Sequence, residues 1–93
     1  MDFIYKQYAD YINVGDKSKQ KAELAYENNN FKEAVKHYYH ASLAYEMAKE
    51  IAIENIYDDI TYRISAFDKE YYCLEKLDEL KLFRKVDTIE IIK

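Results

Sequence analysis

The sequence predicts an all-α protein, an antiparallel bundle of three to four helices with an extended C-terminal tail. Two observations lead to this prediction. The 93 residues include one glycine and no proline, so the residues that usually form the turns of β-hairpins are almost absent. Apolar residues recur at helical spacing, and the charged fraction of 34% is mixed in sign, as on the solvated faces of helices.

The first third of the chain predicts two short helices, over about residues 2–13 and 17–28. Gly15 lies between them. We expect it to end the first helix, because glycine readily adopts the left-handed conformation found at helix C-termini. Asp16 would then cap the N-terminus of the second helix.

The third predicted helix, over about residues 31–54, has the clearest pattern in the chain. Small and aromatic residues form an unbroken seam with spacings of 4, 3, 4, 3 and 4: Ala34, Tyr38, Ala41, Tyr45, Ala48 and Ala52. This seam predicts a central helix. Three asparagines at 28–30 predict the turn before it, and Asn30 with Glu33 has the spacing of a capping box. A single helix over 31–83 stays an alternative, since no glycine or proline enforces a break.

A fourth helix is predicted over about residues 58–83, with Asn55, Asp58 or Asp59 as its N-cap. We expect it to bury an apolar series at helical spacing: Ile60, Ile64, Phe67, Tyr71, Leu74 and Leu77. Residues 86–93 are β-branched and roughly alternating, which predicts an extended or flexible tail. The sequence therefore predicts one helical domain over residues 1–85 and a separate tail.

The composition disfavours several classes of protein. A net charge of −4 without a basic stripe argues against nucleic-acid binding. No apolar run approaches the roughly 20 residues of a membrane span, and no secretory signal is visible at the N-terminus. The lone cysteine, Cys73, excludes a disulfide within the chain. These observations predict a cytoplasmic protein without a transmembrane segment.

Few residues suggest chemistry. His37 and His40 lie one helical turn apart, with Glu33 one turn earlier, a spacing that could hold a metal ion if another helix completed the ligands. No second ligand pair is visible, so we favour a role on the polar face. Cys73 has no histidine near it in sequence and is expected to be a buried apolar residue. We therefore predict no catalytic residue, no metal and no cofactor.

The junction of the second and third helices resembles a tetratricopeptide (TPR)-type helical hairpin. The matching positions are small or aromatic: Ala22, Phe31, Ala34, Tyr38 and Ala41. Alanines at such positions let two antiparallel helices approach, and the aromatic residue fills the space where the helices diverge. No second copy of the pattern follows along the chain, and a repeat array needs about three copies, so an array is not expected.

A single hairpin of this kind, closed by another long helix, is similar to the microtubule-interacting-and-trafficking (MIT) domain. The resemblance covers residues 16–50. Domains of that family are three-helix bundles that bind helical tails of membrane-remodelling filament proteins between their helices. The resemblance thus implies a non-enzymatic protein-interaction module. A looser likeness to the HEPN class lacks its catalytic Arg-x-x-x-x-His motif, because Asp68 stands where a histidine would follow Arg63.

Eleven tyrosines are more than a core of this size can absorb, and tyrosine is enriched in protein interfaces. We predict that this protein holds a helical or extended peptide of a partner protein in a groove beside the third helix. The predicted partner-binding residues are Tyr39, His40, Leu43, Tyr62, Ala66 and Tyr72. The alternative is a self-associating structural bundle, such as a viral or plasmid-encoded homodimer closed by its tyrosines and by the isoleucines of the tail.

Overall fold

The computed structural model describes the backbone of residues 2–92 and the side chains of residues 3–81. Within this part of the chain all regular structure is helical: α1 (Asp2–Glu27), α2 (Phe31–Asn55) and α3 (Ile60–Ile92). α2 packs against both α1 and α3. The all-α prediction is confirmed, and the described residues form three helices. None of the helices in the described residues is long and apolar enough to cross a membrane.

α1 is one continuous helix of 26 residues, so the predicted break between 2–13 and 17–28 is wrong. Gly15 is buried in the middle of α1 and has no positive φ. A Cβ atom at this position would lie 2.4 Å from Cε1 of Tyr45 on α2. Glycine is therefore required for the close approach of two helices and not for a turn.

The residue after Gly15 joins all three helices. One carboxylate oxygen of Asp16, Oδ1, accepts a hydrogen bond of 2.6 Å from the Tyr45 hydroxyl and one of 3.2 Å from Nζ of Lys69 on α3. Nζ of Lys69 also lies 5.6 Å from the centre of the Tyr45 ring. Asp16 is thus a link between helices and not the predicted N-cap.

The asparagine turn at 28–30 is confirmed. Asn29 has a φ of 60°, and the amides of Asn29 and Asn30 donate to the carbonyls of Tyr26 and Ala25. These are the two hydrogen bonds of a Schellman motif, which closes the C-terminus of α1. The Asn30 side chain accepts from the amide of Glu33 at 3.4 Å, so one half of the predicted capping box forms.

α2 agrees with its prediction. All six residues of the predicted seam are at most 2% exposed. The helix ends at Asn55, and a short connection separates it from α3, which excludes one helix over 31–83. Asp59 caps α3, because its Oδ1 accepts from the amide of Thr61 at 3.0 Å. The predicted start at residue 58 is thereby moved to Ile60.

α3 packs on α2 with smaller residues than predicted. Its buried residues are Ala66, Glu70, Cys73 and Leu80. Five of the six residues predicted to be buried are instead between 47% and 55% exposed: Ile60, Ile64, Phe67, Tyr71 and Leu74. The physical reason is that Tyr38 and Tyr45 of α2 already fill much of the core that contains Cys73, so a small side chain of α3 fits there better than a large one.

The predicted extended tail over 86–93 is also corrected. Residues 86–92 continue α3, and Lys93 lies outside the described residues. The division into a domain over residues 1–85 and a tail over 86–93 stays a prediction. Leu80, the last buried residue described on α3, lines a small pocket with Phe31 at the start of α2.

Tyrosines connect α1 to α3 at the end of the bundle where α3 begins. The hydroxyl of Tyr8 donates to the carbonyl of Tyr62 at 2.8 Å. The rings of Tyr5 and Tyr8 lie edge-on to Tyr62, with centroid distances of 5.3 Å and 5.1 Å. Further along, Nζ of Lys19 lies 4.6 Å from the centre of the Tyr72 ring. Several of the tyrosines therefore make contacts within the domain.

The contact between Gly15 and Tyr45 predicts the effect of a single methyl group. Gly15→Ala should lower the free energy of unfolding by about 1–3 kcal/mol, because the Tyr45 ring is buried and the packed core resists the added atom. This is expected although alanine favours a helix by about 1 kcal/mol over glycine. Chemical denaturation followed by circular dichroism measures the change.

The matched control for Gly15→Ala is Asn13→Ala, two residues earlier on the same helix and exposed. It should leave stability unchanged or raise it by about 0.5 kcal/mol, because only helix propensity changes. A Gly15→Ala variant as stable as the control would contradict the close approach of α1 and α2 at this point.

Candidate functional site

The five large apolar residues exposed on α3 form one continuous stripe. We define it as the outer face: Ile60, Ile64, Phe67, Tyr71 and Leu74. Their spacings of 4, 3, 4 and 3 are those of a coiled-coil seam. Single exposed apolar residues are ordinary on a protein surface, whereas a contiguous apolar stripe marks an interaction site.

A shallow groove lies between the outer face and α2. It is lined by Ile64 and Phe67 of the outer face, by Arg63 beside them, and by Lys49 and Ile53 of α2. Ile53 is 42% exposed and extends the apolar surface onto the second helix. The groove therefore offers an apolar floor with two cations at its edge, a form suited to the apolar side of an amphipathic helix.

Lys49 holds the inner wall of the groove in place. Its Nζ contacts Oε1 of the buried Glu70 at 2.8 Å and lies 5.9 Å from the centre of the Phe67 ring. The ring of Phe67 in turn stacks on Tyr71, with centroids 6.3 Å apart and an interplanar angle of 19°. These contacts orient the aromatic part of the outer face before any ligand arrives.

Arg63 contributes a buried polar atom to the groove. Its Nε is buried and has no hydrogen-bond acceptor among the described residues. A buried donor without an acceptor costs about 1–3 kcal/mol. A carboxylate brought to the groove would accept from this guanidinium, since arginine pairs readily with carboxylates.

The predicted partner-binding residues fall on two separate surfaces. On α2, Tyr39 and Leu43 are 54% and 42% exposed, and His40 is exposed as well. These three are accessible to another molecule. A partner-binding role for them stays a prediction, as it does for the three residues predicted on α3.

The three predicted residues on α3 point into the domain. Tyr62 packs against tyrosines of α1, and Ala66 has no exposed surface. The Tyr72 ring lies 6.4 Å from that of Tyr38, so it borders the core. The structure thus places the α2 residues and the α3 residues of the predicted site on different faces. The residues of the outer face alternate in sequence with the three residues predicted on α3.

The outer face could have been found from the sequence. α3 carries two seams with the same spacing, the outer face and a second series of smaller residues: Ala66, Glu70, Cys73, Leu77 and Leu80. One helix of a three-helix bundle can turn only one of them toward α2. The second seam is hard to recognise in the sequence because it contains Glu70, and an isolated glutamate is rarely buried. Lys49 on α2 is the signal that a buried partner exists.

The histidines and the cysteine considered in the sequence lie apart from the outer face. Nε2 of His37 lies 3.4 Å from the Glu33 carboxylate, and the rings of His37 and His40 are 6.4 Å apart. Among the described residues, no three or more His, Cys, Asp or Glu side chains are grouped as metal ligands would be. Cys73 is fully buried, and burial raises the pKa of its thiol to about 11.

Comparison with known protein families, with curated proteins and with solved structures finds no match for this chain.

The raised pKa of Cys73 predicts slow thiol chemistry. At pH 8 the native protein should react with a disulfide reagent at least about tenfold more slowly than the chain in denaturant, because burial both blocks access and disfavours the nucleophilic thiolate. Absorbance of the released chromophore measures both rates. Equal rates would show that the contact between α2 and α3 at Cys73 opens freely.

A pair of neighbouring substitutions checks which side of α3 faces α2. Ala66→Asn should lower the free energy of unfolding by about 2–4 kcal/mol, because a larger polar side chain would enter a filled space. Phe67→Asn should change it by about 1 kcal/mol or less at low protein concentration, since half of the ring is already exposed. Thermal unfolding gives both values, and the reverse order would place the outer face in the core.

Proposed function

We propose that this chain is a non-enzymatic interaction protein whose outer face and adjoining groove take an amphipathic helix of another polypeptide. The single observation that carries the proposal is the contiguous apolar stripe of the outer face, about half exposed along four turns of α3. A bundle that needed these residues for its own core would have buried them.

The form of the surface supports a helix as the ligand. Residues of the outer face recur every three or four positions, and such a stripe contacts another helix by inserting side chains between those of its partner. Ile53 widens the contact to a second helix, so the ligand would rest in a groove and not on a single ridge. An extended peptide would need an exposed sheet edge or a deep cleft to satisfy its backbone.

The resemblance to MIT and TPR-type helical hairpins supports the same proposal. The positions that carry it lie where α1 and α2 meet, and Ala22, Ala34 and Ala41 are fully buried there. In that resemblance the hairpin supplies the scaffold and a groove next to it binds the partner. The proposal includes a cytoplasmic location, where a protein with one buried thiol would keep that thiol reduced.

Photocrosslinking at the outer face tests the proposal. A benzoylphenylalanine placed at Phe67 in the source cells should form a covalent adduct with another polypeptide under ultraviolet light. The exposed ring at this position would contact any helix in the groove. Mass spectrometry then identifies the captured chain, whether it is a different protein or another copy of this one.

The control places the same photoreactive residue at Leu24, which is 60% exposed on α1. It should give little or no adduct, because exposure alone does not produce a stable contact. Equal adduct patterns at the two positions, or no adduct at Phe67, would contradict the proposal that the outer face is an interaction surface.

A further inference from the structure

We infer that the helix held on the outer face is α3 of a second copy of this chain, aligned antiparallel to the first. The inference rests on the proposed function and names the occupant of the same surface. It is argued from the apolar pattern of the outer face and from the charges beside it.

The apolar pattern of the outer face allows two copies of the face to pack on each other. In heptad terms Ile64 and Tyr71 occupy position a, and Ile60, Phe67 and Leu74 occupy position d. In an antiparallel pair each a residue lies beside a d residue of the other helix. Ile64 would therefore meet Phe67 of the second copy, and Ile60 would meet Tyr71. Each pair occurs twice, as a two-fold axis requires.

Charges beside the seam select this register. Arg63 and Glu70 occupy the g positions, on the side of α3 that faces α2. With Ile64 beside Phe67 of the second copy, Arg63 comes next to Glu70 of that copy, and the pair is repeated by symmetry. Each pair joins opposite charges, and flanking charges of this kind set the orientation of coiled-coil helices.

The other arrangements bring like charges together. Sliding the antiparallel helices by one heptad in one direction places Glu70 beside Glu70 of the second copy and Asp68 beside Asp68, and sliding them in the other direction places Arg63 beside Arg63. A parallel pair would bring Arg63 to Asp68, but also Glu70 to Glu75. Like charges in contact disfavour both alternatives. The antiparallel register with Arg63 beside Glu70 avoids these contacts.

Two features of the isolated chain fit this arrangement. Arg63 has a buried Nε without an acceptor, and Glu70 uses only Oε1 for Lys49, so its carboxylate can accept another hydrogen bond. In the same register Leu74 lies beyond Ile60 of the second copy, next to the connection that precedes α3 there. Tyr57 is 76% exposed in the connection before α3, and the pairing would cover it.

Disulfide trapping tests both the partner and its direction. Ile60→Cys and Tyr71→Cys variants, made separately and mixed, should form a disulfide-linked dimer on mild oxidation, because the two positions are adjacent across the inferred interface. Each variant alone should stay uncrosslinked, since like positions would lie about 16 Å apart at 1.5 Å per residue. A disulfide requires Cα atoms within about 7 Å.

Light scattering over a wide concentration range measures the equilibrium between monomer and dimer. The wild-type chain, of 11.2 kDa, should approach twice that mass as its concentration rises. Arg63→Glu should raise the dissociation constant about tenfold, because two opposite-charge pairs become like-charge pairs. Lys6→Glu is the matched control. It makes the same change in net charge at an exposed position of α1 and should leave the constant unchanged.

The outcomes separate this inference from the proposed function. A monomer at all concentrations, or an Ile60→Cys variant that crosslinks to itself, overturns the antiparallel second copy. An Arg63→Glu variant that dimerises like the wild type overturns the register. If these results come with an adduct at Phe67 to a different protein, the outer face still binds a helix and only its occupant was wrong.

Discussion

The packing of α1 on α2 depends on the absence of a side chain at Gly15. The Tyr45 ring occupies the space that a Cβ atom would need, and its hydroxyl bonds to Asp16 on the next residue of α1. Burial, together with the hydrogen bond and charge of Asp16, raises the pKa of the Tyr45 hydroxyl, so the group stays protonated and donates. Lys69 reaches the same carboxylate from α3. One aromatic ring thereby sets the relative positions of three helices.

The tyrosines in the seam of α2 have a similar consequence for α3. Tyr38 and Tyr45 are fully buried in the core that also contains Cys73, so α3 packs there through a small residue. The large apolar residues of the outer face must then point elsewhere, because one helix cannot present two seams to the same neighbour. The outer face is therefore exposed because the core has room only for the other seam of α3. The ion pair of Lys49 with Glu70 holds α3 in that orientation.

The sequence was informative wherever a residue has one common use. The seam of α2, the asparagine turn and the cap at Asp59 followed from spacing and turn chemistry, and the structure confirms them. The prediction of a helix end at Gly15 is wrong because glycine serves both turns and close contacts, and only the neighbouring helix shows which is needed. The prediction that the residues of the outer face are buried follows from the usual burial of large apolar residues, and the structure contradicts it. Locating the site from the sequence therefore requires knowing which of the two seams of α3 packs on α2.

The three tyrosines that join α1 to α3 have a consequence for how the chain folds. The connections at 28–30 and 56–59 are short, so each neighbouring pair of helices can form with little loss of chain entropy. Tyr8 and Tyr62 are 54 residues apart, and their contact closes a far longer loop. We expect this end of the bundle to assemble after the α1–α2 hairpin and to be an early place of local opening in native-state hydrogen exchange.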